Sequence, residues 1–184
     1  GVGFKYMQAF AQQSNQSLDG LFELLDLVVV SIAADIVPIN GENRILASFG
    51  LKKPNENPVT GLRALKKVAD VLDKTLTVSD IVFKIGPRIN AAGRIHSGRK
   101  AVELLISEDE TLASEMGEKI DIYNMERKSL DQNITQEALQ LIENDAKLRN
   151  KKSTVLFKPD WHKGVIGIVA SRLTETYYRP TIIM

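Results

Sequence analysis

Between Ser107 and Asn144 apolar residues recur in three- and four-residue steps with no helix breaker, and this stretch limits how everything around it can fold. Leu112, Met116, Ile120, Tyr123, Leu130, Ile134 and Leu141 carry the stripe, interrupted only where Arg127 falls on it. Ser107, with Glu110 three residues on, forms a capping-box pattern at its start, and the next proline is Pro159. The spacing predicts a helix from about Glu108 to Asn144, which at ~1.5 Å per residue spans on the order of 55 Å, more than the diameter of an ordinary domain. A helix of that length joins two lobes or enters a coiled coil, and an arginine on its apolar stripe favours the connector. The chain is therefore expected to hold one body before this helix and another after it.

Before the connector the pattern is mostly helical. Phe4, Met7, Phe10 and Ala11 predict a short amphipathic helix over residues 2–13, followed by a polar loop. Leu18 to Ala34 is apolar enough to be buried. Its period does not separate helix from strand, although the leucines at its start favour helix. Asn40-Gly41 marks a turn, and helices are expected over Glu42–Phe49 and Val59–Leu72, with Leu62, Leu65, Ala69 and Leu72 on one face of the second. Lys52 to Pro58 between them reads as a loop. Thr77 or Ser79 caps a short helix through Phe83, and Ala101–Ile106 resumes an apolar helix. After the connector and a basic turn from Lys147 to Lys152, the order is strand (Thr154–Phe157), loop, helix (Val165–Tyr177) and strand. That is a βαβ unit, the start of a parallel α/β lobe whose loop lies at the strand's carboxyl end, where ligands bind.

The net charge of +1 conceals segregation. Ile81–Lys100 holds five bases (Lys84, Arg88, Arg94, Arg99, Lys100) and no acid; Ala101–Asp145 holds twelve acids against three bases; Ala146–Met184 holds eight bases against two acids. Basic segments bracketing an acidic one fit a face that meets nucleic-acid backbone, and a solvated acidic helix between two ordinary loops gives the same count. The absence of cysteine excludes disulfides and thiolate metal sites and suits a reducing compartment. The longest apolar run, Leu27–Ala34, is far too short to span a membrane, so a cytoplasmic location is expected. A start at Gly1 and an end on a strand-like Pro180–Met184 suggest a piece of something longer.

Four places could carry chemistry. In Ile85–Arg94, Gly86, Pro87 and Gly93 predict a tight turn flanked by Arg88 and Arg94, whose forked guanidiniums suit phosphate; a surface loop with solvated arginines is the plainer reading. His96, just beyond, reads as a surface or phosphate-contacting group. Asp35 ends the apolar run. It either accepts turn hydrogen bonds or caps the next helix, or serves as a hard oxygen ligand for Mg²⁺ or Mn²⁺, with only Glu42 as a nearby acid. His162 and Lys163 fall at the amino end of a helix, a ready anion site, unless that turn exists to pack Trp161 on the connector.

Taken together, three stretches bring in a resemblance: Ala34-Asp35-Ile36-Val37-Pro38-Ile39 with Gly41-Glu42-Asn43-Arg44, then Ile85 to Arg94, then Trp161-His162-Lys163-Gly164 through Leu173. In this order, with Asn124-Met125-Glu126-Arg127-Lys128 between the last two, the chain resembles the middle of the RecJ family, single-strand-specific 5′-to-3′ DNA exonucleases of the DHH phosphoesterase superfamily. The resemblance implies an α/β protein: the mostly helical C-terminal portion of a DHH lobe over residues 1–106, a long interdomain helix over 107–149, and the start of a DHH-associated, nucleic-acid-binding lobe over 150–184. It implies single-stranded DNA between the lobes and two Mn²⁺ or Mg²⁺ ions that activate water in the parent protein. Asp35 would be the catalytic metal ligand; Arg88, Asn90 and Arg94 would grip the strand, with His96, His162 and Lys163 as further nucleic-acid contacts. The upstream Asp-rich and Asp-His-His motifs and a downstream Gly-Gly-His motif do not occur here, so this piece alone is expected to be inactive. A single-strand-binding protein or a helicase would be partners of the parent, itself a monomer. Two competing readings remain, a non-catalytic binding module and a phosphodiesterase for short or cyclic nucleotides.

Overall fold

A computed structural model describes all 184 residues. The chain forms α1 (Val2–Gln13), α2 (Asp19–Phe22), α3 (Leu25–Ala34), α4 (Gly41–Gly50), α5 (Lys52–Glu56), α6 (Thr60–Val68) and α7 (Val78–Asp80). One π-helical turn, Ile81–Ile85, leads into α8 (Gly86–Ile95), then come α9 (Gly98–Leu105), α10 (Glu110–Asn144), α11 (Ala146–Arg149), β1 (Thr154–Leu156), α12 (Ile166–Tyr177) and β2 (Thr181–Ile183). No helix is long and apolar enough to cross a membrane.

α10 is a single helix of 35 residues, as its period predicts, and it serves two separate cores. Its first half contributes Ala113 and Ile120 to a core with Val29, Leu62, Leu65, Ile81, Ile85 and Leu104. Its second half contributes Ile134, Ala138 and Ile142 to another with Leu156, Trp161, Val165, Val169 and Leu173. The buried stripe coincides only in part with the apolar one read from the sequence: Ile120 and Ile134 are buried, and Met116, Tyr123 and Leu130 pack against the cores. Leu112 and Leu141 are exposed, while Gly117, Asn124 and Asp131 are buried. Close approach explains this in part: a Cβ on Gly117 would lie 3.3 Å from the Ala64 Cβ, so small residues bring α10 against α6. The cap also moves by two residues, because Asp109 accepts from the Leu112 amide at 2.8 Å whereas the Ser107 hydroxyl only donates to the Asp109 carbonyl.

Ahead of the connector, α3 is buried on nearly all sides through Val28, Val29, Val30, Ile32 and Ala33, and this all-round burial is why its period was uninformative. The expected single element over Leu18–Ala34 is two helices, broken at Glu23 and Leu24. Lys52–Pro58, expected as a loop, contains α5. Pro54 lies within its first turns, where proline costs no hydrogen bond, and Asn55 ties it down by donating to the Leu76 carbonyl at 3.1 Å and accepting from the Leu76 amide at 2.6 Å. α6 packs on α9 with Gly61 directly under the Leu104 carbonyl.

The largest departure concerns Ile85–Arg94, which is not a tight turn but the regular helix α8, with Pro87 in its first turn. Gly86 has helical φ and is required for proximity instead: a Cβ there would meet Ala34 Cα at 3.2 Å. Thr77 and Asp80 form the capping box that starts this segment. Beyond α10, Asp145 caps α11 in the expected basic turn, and β1 and β2 pair in parallel, Thr154 opposite Thr181 and Leu156 opposite Ile183, with α12 as the crossover. The βαβ unit is thus present.

Candidate nucleic-acid interface

α8 sets two arginines six residues apart, and the fold treats them oppositely. Arg88 is turned inward, its side chain 15 % exposed. Its Nε lies 2.8 Å from Asp121 Oδ1 on α10, Nη1 donates to the Lys84 carbonyl at 2.7 Å and Nη2 to the Val68 carbonyl at 3.0 Å. With both Nη groups donating to backbone carbonyls and Nε buried against Asp121 without a hydrogen bond, it has little left for a phosphate. Arg94 is exposed at the last turn of α8, and its Nη1 donates to the Gly164 carbonyl at 3.2 Å. Asn90, one helical turn earlier on the same face, is exposed and makes no side-chain hydrogen bond.

Within Ile81–Lys100, folding neutralises most of the positive charge. Lys84 pairs with Asp80 at 2.7 Å, Arg88 with Asp121, and Arg99 and Lys100 both with Glu103. Of the five bases in Ile81–Lys100, only Arg94 has no acidic partner. It stands at the junction between the two cores, where the chain is so close that a Cβ on Gly164 would fall 2.0 Å from the Arg94 carbonyl oxygen. Gly164 is there because nothing larger fits.

The histidines are less free than the sequence suggests. His96 follows α8, stacks on Tyr123 with ring centroids 4.0 Å apart, and has Nε2 3.7 Å from Glu126. His162 Nδ1 accepts from the Gly164 amide at 3.1 Å, and its carbonyl takes the Val165 and Ile166 amides, so these three donors are already used within the turn. Lys163 is exposed and has no ion-pair partner. Trp161 is buried, and its Nε1 donates to Glu137 on α10 at 2.8 Å, so the packing reading of this turn holds. That bond, with the Lys158 ammonium, holds the Glu137 carboxyl below its ordinary range.

Asp35 occupies the residue that ends α3. The Ile36 amide bonds back to Ala33 and the Val37 amide to Ile32, the paired hydrogen bonds of a left-handed helix end. Glycine is usual at the left-handed position; here it is Ile36, with φ 52°, a rare conformation for a β-branched side chain. The Asp35 carboxylate is exposed and accepts no hydrogen bond, so the capping reading finds no support. A free hard-oxygen donor fits a divalent cation as one ligand, and no group of three His, Cys, Asp or Glu side chains converges to complete a shell.

Sequence reasoning missed a buried charged cluster on α10. Asp131, 2 % exposed, lies 2.8 Å from Arg172 Nη2 of α12 and 3.7 Å from Arg127 Nη1, while Arg127 also donates to Asn124 at 3.3 Å. Burial lowers the Arg127 pKa; Asp131 opposes this, and nearby Arg94 and Arg172 add to the lowering. The interruption of the apolar stripe at Arg127 was the one available signal.

No family model matches the chain. Among curated proteins, it is 35 % identical to the single-stranded-DNA-specific exonuclease RecJ of Bacillus subtilis over all of the chain and 22 % of that protein, and 36 % identical to Escherichia coli RecJ over 95 % of the chain and 31 % of that protein. Among solved structures, exonuclease RecJ bound to manganese superposes with a TM-score of 0.87 at 30 % identity, covering 100 % of this chain and 45 % of the other; Thermus thermophilus RecJ with Mg²⁺ gives 0.81 at 31 %, over 96 % of this chain and 27 % of the other. The chain thus spans between about a fifth and a third of the length of these curated relatives. Matched along its whole length in sequence and in fold, it belongs to the RecJ family.

Proposed function

We propose that this chain is the segment of a metal-dependent, single-stranded-DNA-specific 5′-to-3′ exonuclease in which a helical lobe meets its nucleic-acid-binding partner lobe. The observation that carries the reading is Arg94, the one base of its segment without an acid, exposed where the two cores touch. An exposed guanidinium there, with Asn90 on the same face and Lys163 across the junction, suits a phosphate backbone. Arg88, His96 and His162 shape this surface through the protein contacts described above. We assign residues 1–106 to a DHH lobe, 107–149 to the interdomain helix and 150–184 to a DHH-associated lobe. The whole protein is read as a cytoplasmic monomer that works with a single-strand-binding protein or helicase.

Asp35 would supply one carboxylate to Mn²⁺ or Mg²⁺, ions that activate water and offset phosphate charge when bound. The remaining ligands would come from outside this chain. In the longer protein, a labelled single strand should be shortened from its 5′ end only with Mn²⁺ or Mg²⁺, and Asp35→Ala should abolish turnover while sparing binding. Arg94→Lys should weaken binding about ten-fold, since an ammonium cannot reproduce the planar fork and a charge-assisted bond contributes about 1.5–3 kcal/mol. Arg99→Lys should change little. Equal small effects at both arginines would reduce the surface to a diffuse electrostatic patch, and metal-dependent digestion by the 184-residue chain alone would overturn the division of ligands.

A further inference from the structure

α10 carries two buried or nearly buried acids that face different lobes. Asp121, 16 % exposed, meets Arg88 of α8; Asp131 meets Arg172 of α12. Ten residues separate them, which on an α-helix is ~15 Å along the axis and about 80° around it. The two partner helices therefore lie on adjacent faces of the connector. A third contact closes the figure, because the last turn of α8 carries Arg94, whose guanidinium and carbonyl both abut Gly164 just ahead of α12. A single contact between two bodies permits rotation about it, whereas three non-collinear ones fix both distance and angle.

Burying these charges needs a reason other than stability. An ion pair removed from water contributes little net stabilisation, and apolar residues of the same volume often do as well. The buried residues that follow Asp131 on the same stripe, Ile134, Ala138 and Ile142, are apolar, and an aliphatic residue would continue it. What these groups add is direction: Arg172 Nη2 must donate along one line to Asp131 Oδ2, and Arg88 is clamped by the Lys84 and Val68 carbonyls with its Nε against Asp121, whereas aliphatic contacts can slide. We infer that Asp121 and Asp131 are positioning residues, which through Arg88 and Arg172 hold the two lobes at one angle about α10 and so set how Arg94 faces the second lobe. The geometric part stands by itself, and its consequence for single-strand binding rests on the function proposed above.

The chain contains no cysteine, so Lys67→Cys on α6 and Glu175→Cys on α12, both exposed, give two unique sites for nitroxide labels. The interlobe distance distribution measured by double electron–electron resonance should be single and narrow. Asp131→Asn, or Arg172→Met, should broaden it or add a second population. The doubly apolar Asp131→Leu with Arg172→Met guards against simple unfolding: it should remain as thermostable as the starting chain and still show the broadened distribution. A narrow, unshifted distribution in a folded double variant overturns the inference.

A second readout uses the longer protein. Arg172→Met should weaken single-strand affinity about ten-fold by misplacing Arg94, with an unchanged slope of log affinity against log salt. Arg94→Met should lower both affinity and slope. A slope reduced by about one in Arg172→Met would make that arginine a direct phosphate contact and remove it from the positioning set. If the unsubstituted protein binds no single strand, the function proposed above fails while the distance measurement still decides the geometry.

Discussion

The two halves of α10 are packed by different means. The first half comes close enough for backbone to matter: Gly117 lies against Ala64, and Gly61 of the adjoining α6 lies under the Leu104 carbonyl. The second half meets α12 and the Trp161 turn through aliphatic side chains, Ile134, Ala138 and Ile142 against Val165, Val169 and Leu173. Backbone-limited contacts are specified by the absence of atoms and tolerate no addition. Side-chain contacts are specified by volume, tolerate repacking, and need directional groups such as Asp131 to fix their orientation.

The largest effect should separate the halves most sharply. Gly61→Ala would place its Cβ 2.0 Å from the Leu104 carbonyl oxygen and 2.7 Å from its carbon, both backbone atoms unable to withdraw. It should destabilise the first lobe by about 4 kcal/mol, read as a fall in urea midpoint and as faster amide exchange in α6 while α12 remains protected. Leu173→Ala, at a fully buried position of the second core, should cost about 3 kcal/mol and reverse that exchange pattern. If both substitutions unprotect both helices equally, the two cores form one cooperative unit and the contrast drawn here disappears.

A smaller effect tests electrostatics in the first lobe. The Lys84 ammonium and the Thr77 hydroxyl, reinforced by the Thr77 amide, hold the Asp80 carboxyl down to about 2. A carboxylate whose folded pKa is depressed adds stability above its unfolded value, near 3.8, and that contribution is lost as pH falls from there towards 2. Asp80→Asn should therefore cost about 1 kcal/mol at neutral pH, as for a lost cap, and almost nothing at pH 2. A cost independent of pH would assign the effect to geometry alone. Smallest is the start of α10, where Asp109→Ala should cost somewhat under 1 kcal/mol and Ser107→Ala close to zero, measured by thermal unfolding. The opposite ranking would restore Ser107 as the cap.

Much of the architecture was written in periods. The long helix followed from a breaker-free repeat, and the βαβ unit from two short apolar runs around an amphipathic one, since each depends on residues near in sequence. α5 and α8 depart from the loop and turn the residues suggest because Pro54, Gly86 and Pro87 lie in a helix's first turn, where proline removes no intrahelical bond, and because Gly93 is tolerated inside α8. The buried stripe of α10 was misjudged because small residues bury by proximity, which hydrophobicity does not record.

The site divides in the same way. The resemblance carried by Asp35, by Ile85–Arg94 and by the turn from Trp161 to Gly164 was visible in the residues themselves, because a motif is local. Which of two arginines is free was not. Arg88 and Arg94 share one short helix and one chemistry, and about 120° of rotation about its axis separates them. One faces Asp121, which is 33 residues away in the chain, and the other faces the second lobe. Local sequence supplies the two guanidiniums; only the tertiary structure makes their segment a helix and, through the packing of α8 on α10, decides which charge is spent inside the protein, because an ion pair depends on distance in space and not along the chain.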